Sequence, residues 1–404
     1  MENRDLGPVL IPGKKPLAYR GGPLPDTLSS TASVVQNLIE MKARELWKDA
    51  GSPNDLETPH FFYVNDPTFN AWTGFDGTTP TININITVLL VLCRLFQRAL
   101  ISPKVFPGTK DCPAIEGYVE PPPGSWTLDF ALDRTRTLEE NCKAFTDPIS
   151  GLPDSRWKLP QTFAQLATLY IGFHEFAHIA CGHTQYHVVH FGGSGLQDFT
   201  SLENSDPHYQ EMRRLWEVQA DNIGTQFFVA MVLGAADVYK ERLEVDSSAS
   251  TEEYLGKALF GPFVTYMMFA EKEPETITQD NEHPHSFQRG YLYFIFLHRA
   301  LGKWFSDLRW DEVQLHMSSN SEAALNQLAY APPRWLLDSE TLKEWTSETE
   351  WTPEMTTETM KEWRKDTLTM LRKLEQQRER WAEFSWFTRV RALDIARNRP
   401  EIRL

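Results

Sequence analysis

The sequence predicts an α+β protein, mostly helical, with a small sheet beside a bundle of helices. Three observations carry this expectation. Ile82, Ile84 and Ile86 alternate with Asn83, Asn85 and Thr87, the period of two of a strand with one apolar face. Phe163, Leu166, Ala167, Tyr170 and Ile171 recur at helical spacing. Two further apolar stretches, 254–270 and 287–305, have the length of helices rather than strands.

Residues 1–28 are rich in Pro and Gly and read as an irregular N-terminal arm. From Ser29 a helix is expected, with Val34, Leu38, Met41 and Leu46 on one face and Gly51 ending it. Residues 59–66 read as a strand. Thr87 is placed to cap a helix running to Leu100. Residues 101–155 carry many Pro and Gly and read as a long insertion, a length uncommon in loops without a role of their own. Pro160 suits a first helical turn, and Gly182 the position just past the end of that helix. Asp206-Pro207 opens the next helix in the same manner, through Leu215, Glu217 and Asp221 to Phe227–Leu233. Near 310 the character changes to a charged stretch punctuated by Trp335, Trp345, Trp351 and Trp363, and then to amphipathic helix with Leu368, Leu371 and Leu374 on one face. The expected organisation is an arm (1–28), a main domain (29–309) holding the 101–155 insertion, and a helical C-terminal appendage (310–404).

The 404 residues include 40 Lys+Arg and 55 Asp+Glu, a formal charge of −15. Residues 361–404 hold 12 basic and 7 acidic side chains, a local +5, so the first 360 residues carry −20. An acidic body argues against nucleic acid as a partner, since phosphate binding needs a basic face. Cys93, Cys112, Cys142 and Cys181 form no CxxC pair, and so few cysteines fit a reducing, cytoplasmic setting. No secretory signal is expected in residues 1–15, and the apolar run Ile86–Leu92 is far shorter than the ~20 residues a membrane span needs.

His174-Glu175-Phe176-Ala177-His178 is an HExxH sequence inside the strongest helical pattern of the chain. Residues four apart share a helix face, so both imidazoles can reach one ion. Glu175, about 100° round the helix, can address a water beside that ion as general base. Alone, HExxH also fits a pair of half-buried helix histidines. Glu217 and Asp221, again four apart, lie on the next helix among Trp216, Ala220 and Ile223. Glu217 is a candidate third ligand, and Asp221 a candidate acceptor for a ligating histidine's N–H.

Glu217-x-Gln219-Ala220-Asp221 resembles the ExxAD element that follows HExxH in gluzincin zinc metallopeptidases. The nearest resemblance is to the HtpX and CAAX-prenyl-protease type and its soluble minigluzincin relatives. Residues 174–183 (HEFAHIACGH) resemble that type's HExxHxxxGH form, and residues 283–289 (HPHSFQR) its HPxxxxR element. Asn70-Ala71-Trp72, with Gly77, Ile82, Ile84 and Leu89-Leu90, resembles its edge-strand segment. The resemblance implies a zinc ion held by His174, His178 and Glu217, Glu175 as base and Asp221 behind the ligands. It further implies an edge strand at Asn70, Ala71 and Trp72 that pairs with a protein or peptide substrate, and His283 near the developing oxyanion. Arg289 is expected to be a structural helix residue. The chain lacks the transmembrane helices of the family's membrane branch. A Lit-type phage-exclusion peptidase shares HExxH and acts on a host protein, which adds that substrate class.

The reading that follows is a soluble zinc endopeptidase, regulated or latent, with the C-terminal helices available to a regulatory partner. The alternative is a zinc-bound sensor or protein-binding module on an inactive scaffold, which a fourth protein ligand such as His183 or His187 would favour.

Overall fold

The computed structural model describes residues 26–50, 57–75, 78–106, 131–152, 156–192, 195–197, 207–246, 248–270, 284, 286–328 and 358–386. The expected arm at 1–28 falls almost wholly outside them, as do the middle of the 101–155 insertion and His283.

Helix α1 spans Asp26–Ala50 and strand β1 His60–Val64. Strands β2 (Ala71–Phe75) and β3 (Pro80–Asn85) lead directly into α2 (Ile86–Ala99). The described parts of the insertion include α3, Leu138–Thr146, whose Thr137 and Glu140 form a reciprocal capping box. Next come α4 (Leu159–Ala180), α5 (His183–Phe191), β4 (Gly195–Gln197) and α6 (Pro207–Gly234). Helices α7 (Ala236–Arg242), α8 (Thr251–Ala270), α9 (Ser286–Trp304), α10 (Trp310–Gln327) and α11 (Glu358–Gln377) follow. Two 3-10 turns, Arg378–Arg380 and Ala382–Phe384, close the described chain. The protein is α+β, mostly helical, with one small sheet.

Helix α4 is the centre of the molecule. All its residues but Gln161 and Ile171 are buried, which is what an all-round apolar helix requires. It packs against α1, α2, α6 and α8 and against the sheet. Its C-terminus follows local chemistry: Gly182 takes φ +86°, a conformation that a Cβ disfavours, and the chain turns back at once into α5.

The sheet has the order β1-β3-β2-β4, with β1 parallel to β3 and β2 antiparallel to both β3 and β4. This corrects the edge-strand expectation for Asn70, Ala71 and Trp72. Trp72 pairs with Gln197 and Gly74 with Gly195, so β2 is an inner strand and β4 is the edge. Ala71 and Trp72 are buried. Asn83 and Asn85 alternate with the apolar face of β3. Both are buried, with Asn83 Nδ2 donating to Thr81 Oγ1 (3.0 Å) and Asn85 Nδ2 to the Thr68 carbonyl (2.9 Å).

The core face of α1 is Ala32, Val35, Ile39, Ala43 and Leu46, and Met41 is exposed. Leu46 lies on the core face as expected, but Val35 and Ile39 are buried in place of Val34 and Leu38, because the face is chosen by α4 and β1. The boundary expected at 310 is not a packing boundary. Val313, Met317, Ala324 and Leu325 of α10, with Leu328 just past its end, belong to the same core as Ile84 and Phe163. Helix α11 and the turns after it join a second core: Met370 and Leu374 of α11, and Trp381 beyond it, cluster with Tyr209, Met212, Trp216, Leu292 and Phe296. Among the described residues, no helix is long and apolar enough to cross a membrane.

Candidate metal centre

His174 and His178 lie one turn apart on α4, and Glu217 faces them from α6. The three are buried and form a group able to hold a metal ion. His174 Nε2 and His178 Nε2 are 3.1 Å apart, and Glu217 Oε2 and Oε1 lie 3.2 Å and 3.4 Å from them respectively. Donors bound at about 2.0–2.1 Å on a tetrahedral ion are separated by about 3.3–3.4 Å. The separations, with one Glu217 oxygen towards each imidazole, are of that size and suit a metal ion held between the two rings and the carboxylate.

The close approach of α4 and α6 that sets this spacing rests on Gly224. A Cβ there would lie 3.0 Å from the Cα and N of His174. Glu217 and Asp221 share the face of α6 turned towards α4 because they are four apart.

Behind each histidine stands a partner for its other nitrogen. His174 Nδ1 donates to Asp221 Oδ1 at 2.8 Å. Asp221 in turn accepts from Arg289 Nε (3.0 Å), from an Arg289 terminal nitrogen (2.9 Å) and from the Tyr266 hydroxyl (2.8 Å). His178 Nδ1 meets His183 Nδ1 at 3.1 Å, and His183 Nε2 lies 2.9 Å from Gln219 Oε1. The indole N–H of Trp381 donates to the same Gln219 oxygen at 2.8 Å. Such outer partners set tautomer and ring orientation, so that both Nε2 lone pairs face the shared point.

Burial pushes His178 well below the usual imidazole range, and lowers His183 to about 3 and His187 to about 4. Burial opposes the charge on His174 too, but Asp221 and Glu217 outweigh it and raise its pKa to about 9. Burial likewise works against the Asp221 carboxylate, yet Arg289 and His174 hold it below the usual carboxylate range. Glu175, next along α4 from His174, is buried.

The structure thus brings together His174, His178, Glu217 and Asp221, while Glu175 is buried on α4 as the residue after His174. Asn70, Ala71 and Trp72 lie at and just before an inner strand, and His283 lies outside the described residues. His183 is a neighbour of His178 rather than a fourth ligand, since both its nitrogens are engaged. His187 Nδ1 bonds the Tyr209 hydroxyl at 3.0 Å. Arg289 is not merely a helix residue: its guanidinium clamps Asp221 and reaches within 3.7 Å of Glu217. Its place in the HPxxxxR element was the signal available for it. Tyr266 and Trp381 carried none, because each lies in a segment with no motif.

Comparison with protein families, characterised proteins and solved structures found no match to this chain.

Proposed function

We propose that the protein is a zinc-dependent endopeptidase. The observation that carries the reading is the convergence of His174 Nε2, His178 Nε2 and the Glu217 carboxylate at metal-ligand spacing, with Glu175 next to His174 in sequence and an outer partner on each histidine. A zinc ion held by His174, His178 and Glu217 would supply Lewis acidity for a water and for a peptide carbonyl. Glu175 takes the proton of the attacking water and hands it to the leaving amine, the role of a carboxylate placed beside such an ion. Asp221, itself held by Arg289 and Tyr266, keeps His174 in the tautomer with Nε2 free. The burial of His174, Glu175, His178 and Glu217 supports a closed resting form that opens for substrate. The engagement of both His183 nitrogens and of His187 Nδ1 weighs against the sensor alternative.

The test is Glu175→Gln. The variant is expected to bind zinc stoichiometrically and to lose peptide cleavage, read as neo-termini in a proteome incubated with wild type but not with the variant. Equal cleavage by both proteins would refute the assignment.

A further inference from the structure

We propose that the C-terminal strap, residues 378–386, is a working part of the metal centre, with Trp381 as a positioning residue that acts on the ligand His178 through Gln219 and His183. The inference rests on the zinc-site reading above and adds to it a structural owner for the ligand's tautomer.

The argument is one of donor and acceptor directions. An indole N–H can only donate. Trp381 is buried, and its N–H faces the Gln219 side chain at 2.8 Å, so that end of the amide must be the oxygen. An amide oxygen can only accept, so His183 must carry its proton on Nε2, 2.9 Å away. His183 Nδ1 is then an acceptor. His178 Nδ1, 3.1 Å from it, must be the donor, which leaves the His178 Nε2 lone pair facing His174 and Glu217. Without the indole, Gln219 can turn its amide round and present its NH2 to His183 Nε2. The relay then reverses, and the proton of neutral His178 moves to Nε2, where an ion would bind.

The strap is seated for this role. Phe384 packs its backbone against Gly182, where a Cβ would lie 2.5 Å from the Phe384 carbonyl carbon. The Ser385 hydroxyl donates to the Ala180 carbonyl at 3.3 Å, and Trp386 packs edge-on against Phe176 inside the main core. Trp216 lies between the two parts, stacked on His183 and edge-on to Trp381. Upstream, Asp366 of α11 accepts from Arg214 (2.8 Å) and Gln288 (3.0 Å), and Lys373 pairs with Glu211. These anchors lie on α4, α6 and α9 and on the Gly182 turn, and Phe384 also packs edge-on against Tyr186 and His190 of α5.

The test uses the full-length chain. Trp381→Phe keeps most of the ring and removes the N–H. Gln219→Met is the second variant and removes the acceptor at nearly constant volume. Zinc affinity is read by chelator competition, the visible spectrum of the cobalt-loaded protein reports ligand geometry, and circular dichroism confirms folding. Loss of an outer partner costs about 10–100-fold in metal affinity. His183→Phe is expected at that level, and Trp381→Phe and Gln219→Met at its lower edge, about tenfold, with altered cobalt bands. In the His183→Phe background, Trp381→Phe should have no further effect, because the relay is already cut. Zinc affinity and cobalt bands equal to wild type in both single variants, or an additive loss in the double variant, would overturn the proposal and leave Trp381 as packing alone. Failure of the peptidase reading looks different: zinc affinity falls in Trp381→Phe while wild type cuts no peptide.

Discussion

Replacing Gly224 by alanine puts a single methyl at the contact on which the metal site depends. The new carbon would stand 3.0 Å from the Cα and N of His174 and 3.3 Å from the carbonyl carbon of Phe173. Carbon atoms pack best at about 3.5–4.0 Å, so α4 and α6 must part locally by about 0.5 Å or more. All three atoms are backbone of a buried helix, so no rotamer change absorbs the clash. Overpacking of this kind costs about 1–3 kcal/mol, whereas alanine in place of glycine within a helix returns about 1 kcal/mol. The net loss of stability is therefore small, about 0–2 kcal/mol. The metal site has no such compensation. Glu217 lies two turns before Gly224 on the same face of α6, and it moves with the helix. A shift of about 0.5 Å is at the limit a metal-binding constellation tolerates. The expected result is a loss of zinc affinity of about tenfold with a melting temperature close to wild type, measured by chelator competition and thermal unfolding. Unchanged zinc affinity in the folded variant would refute the claim that this approach sets the ligand spacing.

Asp221→Asn removes the carboxylate charge that pairs with the half-buried Arg289 guanidinium. It should destabilise the protein by about 3 kcal/mol in denaturant unfolding, and a loss below about 1 kcal/mol would show that Arg289 is balanced elsewhere. Asp221 and Glu217 raise the pKa of ion-free His174 to about 9, above its ordinary value near 6.5, so a zinc ion bound there at pH 7 would displace a proton. Zinc affinity should then rise roughly tenfold per pH unit from about 7 to 9, with one proton released in calorimetry across buffers of different ionisation heat. The sign is opposite for the ion-free fold: the stability His174 contributes is fully present below about 6.5 and is lost as pH rises through 9. Gly182→Ala combines a left-handed backbone with a Cβ 2.5 Å from Phe384, and should speed limited proteolysis within the strap while α4 stays protected.

Residue periodicity made much of this molecule readable in advance. The limits of α4 follow from Pro160 and from Gly182 at φ +86°, both local effects of one residue on its own backbone. The pairing of His174 with His178, and of Glu217 with Asp221, follows from the 3.6-residue turn alone. Periodicity left the rotation of α1 unsettled, so Met41 was placed on a face that the sheet and α4 do not cover. It also missed β4, three residues in a Gly- and Ser-rich stretch whose pairing with β2 is made by the sheet and not by any pattern of its own.

What the sequence by itself determined is the inventory: which side chains can bind a metal, and which of them share a helix face. Tertiary structure decided what stands behind them. Arg289 reaches Asp221 across 68 residues of chain, and Trp381 reaches Gln219 across 162. The physical reason is one of range. A helix or strand period is set by the geometry of a few consecutive peptide units, whereas the partner of a buried hydrogen-bonding group is chosen by the packing of the whole core. That packing placed the C-terminal strap, expected as an appendage, beside the buried group of His174, His178 and Glu217.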